Sequence, residues 1–95
     1  MGVKSKDVGH VTVKSKAGRT ELMLLIKSQD FRCALSGVVL EPENAELDHV
    51  VPVSMGGNHM IENLQVVHKV INRMKGTMSN CDFIYWCNQI SQWTR

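Results

Sequence analysis

Pro52, near the middle of the chain, constrains the fold more than any other residue. Its ring disfavours helical backbone at Val51 and pushes that residue toward an extended conformation. The residues leading to it, Ala45-Glu-Leu-Asp-His-Val-Val51, end in a β-branched pair, so the segment reads as a strand running into a loop. Ser54-Met55-Gly56-Gly57-Asn58 continues that loop, because paired glycines permit positive φ.

Helical patterns flank this unit. Glu21 early and Lys27 late, around Leu22, Leu24, Leu25 and Ile26, suit a helix dipole and predict a helix over 20–30. Cys33-Ala-Leu-Ser-Gly37 reads as a turn and Val38-Val39-Leu40 as a short strand. Downstream, Ile61, Leu64, Val67, Ile71 and Met74 fit helical spacing, while Leu64-Gln-Val-Val67 fits a strand ahead of a helix from about 68. Gly76 stands where a helix terminator belongs. Ser79 and Asp82 form a capping-box pattern ahead of Phe83, Trp86 or Cys87, Ile90 and Trp93, which predicts a helix over 80–93. Its Trp86, Trp93, Cys81 and Cys87 read as core residues. Residues 1–19 carry Lys4, Lys6, Lys14, Lys16 and Arg19, and read as a basic arm or as a short strand around His10–Lys14.

At 95 residues the chain makes one domain, and such a small domain has little stability to spare. No apolar run approaches the 18 residues or so that a membrane span needs. The first residues show neither a signal core nor a myristoylation pattern. Three widely spaced cysteines do not make a secreted disulfide framework, so a reducing cytoplasm is expected. The net charge is only +2, but it is unevenly spread. Residues 1–40 hold seven Lys or Arg against three acids, 41–62 hold five acids and no Lys or Arg, and 63–95 hold four bases and one acid. That layout fits a polyanion ligand around a central cation, and equally an ordinary mixed surface.

Asp48-His49 alone says little, since an Asp beside a His is a common pair. Its neighbours carry the signal: Pro52, then Asn63-Leu64, then Asn72, Lys75 and Gly76, in this order and spacing. Over about Phe31 to Gly76 the chain resembles the HNH endonuclease family, and Cys33–Leu40 is similar to the segment that precedes the family motif. The resemblance implies an α+β fold: a small ββα-metal core with flanking helices and the N-terminal basic arm or strand. Strand one would lie at 46–51, strand two near 64–67 and the helix at about 68–76. The nuclease domain would span 20–95, with its core motif at about 31–76.

The resemblance also assigns roles. His49 matches the general base, a part that a neutral imidazole can play near neutral pH. Asp48 matches a metal-binding carboxylate and Asn72 the second protein ligand, with His68, four residues earlier, as the alternative ligand. Hard oxygen donors, completed by waters and a phosphate oxygen, suit one Mg²⁺ ion, with Mn²⁺ or another transition metal as further options. Asn63 matches the position that orients the histidine. Arg73 and Lys75, then Lys69, and from the basic arm Lys14, Lys16 and Arg19, are expected on phosphates. Many members of the family hold a structural zinc with two Cys-x-x-Cys pairs. Here those positions read Cys33 and Ser36, then His68 and Ile71, so no structural zinc is expected. The expected activity is metal-dependent hydrolysis of double-stranded DNA, nicking included, by a monomer or homodimer. The alternatives are a DNA-binding module of the same fold without catalysis, and a metal-binding interaction domain.

Overall fold

The Val66-Val67 pair of the second strand and the Pro52 boundary after the first favour a two-stranded antiparallel sheet, β1 (Ala45–His49) against β2 (Leu64–His68), in the computed structural model, which describes residues 18–94. The register sets Ala45 opposite His68, Leu47 opposite Val66, Asp48 opposite Gln65 and His49 opposite Leu64. Helix α1 (Arg19–Ser28) precedes the sheet, and helices α2 (Lys69–Lys75) and α3 (Asn80–Thr94) follow it. Two single-turn 3-10 segments, Val53–Met55 and Ile61–Asn63, shape the long loop between the strands. The expected α+β class with a ββα core and flanking helices is what the chain adopts. Among the described residues no helix is long and apolar enough to cross a membrane.

The core forms where α1 packs on β2. Val66 and Val67 are fully buried with Cys33 and Leu40, and Leu22, Leu25, Ile26, Leu47 and Ile71 pack around them. The outer edge of β2 is closed by a side chain. Gln29 Nε2 donates to the Val66 carbonyl at 2.8 Å, and its Oε1 accepts from the Val66 N–H at 2.9 Å. One amide thus satisfies an edge that would otherwise invite another strand.

Several boundaries differ from those the sequence predicts. α1 starts at Arg19 and ends at Ser28, because Asp30 and Phe31 take left-handed backbone and turn the chain back. Strand β1 stops at His49, since the Val50 N–H bonds to the carbonyl of Asn63 in the 3-10 turn outside the ladder. Val38-Val39-Leu40 forms no strand, only a single bridge between Arg32 and Val39. The basic arm falls outside the described residues up to position 17, as do Lys14, Lys16 and the strand expected near His10–Lys14.

The last helix departs furthest from expectation. Its capping holds, with Ser79 Oγ accepting from the Asp82 N–H at 3.2 Å. Yet only Phe83 is buried, while Trp86, Trp93 and Cys81 are exposed and Cys87 is half-buried. The periodicity is real, but the body of the domain ends before the helix does. A compact chain of this size has a radius of gyration of about 12 Å; the observed value is 14.0 Å.

Candidate active site

Alternation along β1 separates the two key residues. Asp48 shares a sheet face with Gln65 and lies two residues from Glu46 on that face, whereas His49 points to the other side. Helix α2 lies against both strands and supplies partners to the Asp48 face. Lys75 Nζ reaches Asp48 Oδ2 at 2.6 Å and the His49 carbonyl at 2.6 Å. Gln65 Nε2 donates to the same Asp48 oxygen at 2.9 Å. Asn72 Nδ2 donates to Glu46 Oε1 at 2.8 Å. These bonds leave Asp48 Oδ1 and Asn72 Oδ1 without a hydrogen bond among the described residues.

Lys75 therefore differs from its expected place on a phosphate. It is 1% exposed and its ammonium is fully engaged inside the domain. Burial of a lysine demands such pairing. Of the other phosphate candidates, Arg73 and Arg19 are exposed and Lys69 is half-buried.

His49 Nε2 lies 3.0 Å from His59 Nδ1, with the rings edge to face at 72°. Burial pushes the His49 imidazole below its ordinary 6.5, and the charge of His59 pushes the same way; Asp48 pulls against them and Lys75 adds a further push down. The ring is thus neutral near neutral pH.

Asn63, expected to orient His49, has its side-chain hydrogen bonds elsewhere among the described residues. Its Oδ1 accepts from the Val51 N–H at 3.0 Å, and its Nδ2 donates to the carbonyls of Val51 at 3.0 Å and Asn58 at 2.8 Å. It ties the strand exit to the loop that carries His59, the ring partner of His49. Gly57 packs into the same loop, where a Cβ would collide with the Val51 carbonyl.

His68 caps α2, its Nδ1 accepting from the Val70 N–H at 3.1 Å. Its register opposite Ala45 puts it on the face away from Asp48, so the two do not share a site. The positions matching the family's zinc pattern do gather. The His68 N–H donates to Cys33 Sγ at 3.3 Å, and Ile71 packs on the cluster containing Cys33. Burial raises the Cys33 thiol, but hydrogen bonds from the Ser36 side chain and the His68, Leu35 and Ser36 backbones bring it below its ordinary value.

Glu46, His59, Gln65 and Asn80 are site residues that motif reading passes over. Glu46 was findable, being two residues before Asp48 on a strand. Gln65 and Asn80, whose amides exchange bonds at 2.9 and 3.0 Å, meet only through the tertiary fold.

An antiparallel strand pair followed at once by a helix, with Asp-His at the end of the first strand and Asn on the helix, is a ββα core. A family model for HNH endonucleases matches residues 35–80, and over that stretch the chain belongs to the HNH endonuclease family. No curated protein matches the chain as a relative. Membership makes nuclease the activity class, nucleic acid the substrate class and a divalent cation the usual cofactor. Among the described residues no three His, Cys, Asp or Glu side chains cluster as a closed metal cage would. The donors present are instead a carboxylate on β1 and an amide oxygen on the helix packed against it, a set that suits a hard cation keeping most of its waters.

Proposed function

We propose that the chain is a metal-dependent endonuclease that hydrolyses phosphodiester bonds in DNA. The observation that carries this reading is a pair of oxygens without a hydrogen bond among the described residues, Asp48 Oδ1 on β1 and Asn72 Oδ1 on the helix against that strand, with a neutral His49 following Asp48 at the strand end. Asp48 and Asn72 would hold one divalent cation, Mg²⁺ first and Mn²⁺ next. When bound, such a cation supplies charge neutralisation at the phosphate and at the departing 3′ oxygen. Glu46, by accepting from Asn72 Nδ2, turns the amide so that its oxygen is the free end. Lys75 and Gln65 fix Asp48 through its other oxygen. His49 takes a proton from the attacking water at Nδ1, the ring nitrogen that the Nε2 contact with His59 leaves open, and that contact sets the direction of the ring. Arg73, with Lys69 and Arg19 and the basic residues Lys14 and Lys16, supplies phosphate contacts on double-stranded DNA. All three cysteines are free thiols, which suits the cytoplasm as its setting.

Supercoiled plasmid incubated with Mg²⁺ or Mn²⁺ tests the reading. The expected result is nicked or linear product that vanishes with a chelator and falls at least ~10²-fold in His49→Ala, the scale of a lost general base. Salt-sensitive binding without cleavage under any divalent metal would replace this reading with a DNA-binding module of the same fold.

A further inference from the structure

We propose that α3 is a self-association element, pairing antiparallel with α3 of a second copy of this chain. Phe83, Trp86, Ile90 and Trp93 repeat at intervals of three, four and three residues, the heptad seam of paired helices. Phe83 is used inside the domain, being 6% exposed, while the seam continues beyond the body: Trp86 is 54% exposed, Ile90 62% and Trp93 89%. From Phe83 to Thr94 the helix holds no charged residue. It therefore brings no cation to a phosphate backbone, whose affinity comes mainly from Lys and Arg. It also lacks the basic face of a helix that lies on a membrane surface. A charge-free seam, in contrast, meets an identical copy without repulsion.

Geometry selects the antiparallel arrangement. Trp86 and Trp93 lie four and three residues from Ile90, so a two-fold axis at Ile90 sets Trp86 of each copy beside Trp93 of the other. The two bodies, each attached at the Phe83 end, then sit at opposite ends of the pair and do not compete for space. The exposed parts of the three residues come to roughly 450 Å² per copy, taking about 250 Å² for a whole tryptophan. Two copies then cover roughly 900 Å² of apolar surface, and the polar flanks bring the total toward the ~1,200 Å² at which specific interfaces begin.

Sedimentation equilibrium of the full chain over a wide concentration range is the test. The expected result is a doubling of mass that is abolished in Ile90→Lys and in Trp93→Lys, with far-ultraviolet circular dichroism unchanged in both. In a chain with Cys81→Ser and Cys87→Ser, Ile90→Cys should form a covalent dimer under mild oxidation and Trp86→Cys should not, because only position 90 meets itself. A wild-type chain that stays monomeric throughout overturns the proposal, including the case in which deleting residues 1–17 exposes the tryptophans and so names that segment as the cover. A dimer that survives both lysine variants overturns it too. Mass is measured without cleavage, so the result stands apart from the nuclease reading.

Discussion

His49 has two neighbours that act on its proton in opposite senses, and this makes its titration testable. Burial and His59 lower its pKa while Asp48 raises it. Activity should therefore persist below pH 6.5 and fall only at the lowered value. Removing the cation-capable neighbour in His59→Ala should move the acid limb of the kcat/KM profile to higher pH; a limb that stays in place would show that His59 does not act on His49. The same shift enters stability. The unfolded imidazole binds its proton at higher pH than the folded one, so the contribution is complete above 6.5 and lost as pH falls from there through the folded value. Gly57 makes a second prediction at this scale. Gly57→Ala should cost about 1–3 kcal/mol in denaturant melts, because the added Cβ meets the Val51 carbonyl that Asn63 also holds. An unchanged midpoint would mean that the loop relaxes without strain.

Between β1 and α2 the decisive bond is the buried Lys75–Asp48 pair. Lys75→Met should destabilise the domain by about 3–5 kcal/mol, since it strands Asp48 without its counter-charge. If Asp48 binds a divalent cation, Mg²⁺ should raise the melting temperature of Lys75→Met more than that of the wild type; an equal response would place the cation elsewhere. Lys75 also marks where sequence reading stops. Its position in the motif was legible, and its role was not, because a lysine three residues after Asn72 looks the same whether it faces solvent or a carboxylate on another element. The strand before Pro52, the first and last helices and the cap at Ser79 were legible because backbone preference and local hydrogen bonding decide them, whereas Leu64–Val67 fitted strand and helix alike until the family resemblance divided it, and Val38–Leu40 makes only one bridge. The solvent-facing Trp86 and Trp93 were not, for periodicity shows that a stripe exists and not what lies against it. His68 likewise fitted helical spacing to Asn72, and only the register showed its turn toward Cys33.

For the whole molecule the phosphate contacts remain to be ranked. Arg73 is exposed on the helix that carries Asn72, so Arg73→Ala should weaken DNA binding across sequences and lower the salt slope by about one unit. A slope unchanged within error would remove it from the interface. The last helix bears on the site in a mechanical way. At its first residue, Asn80 exchanges two bonds with Gln65, whose amide also holds Asp48, and the Asn80 N–H bonds the carbonyl of Val50 beside His49. Fifteen residues of helix make an arm of about 22 Å. Whatever grips that arm pulls at a fulcrum one amide away from Asp48 and one peptide away from His49. Asn80→Ala should accordingly lower the cleavage rate while the last helix still forms, and a rate equal to wild type would show the arm to be uncoupled.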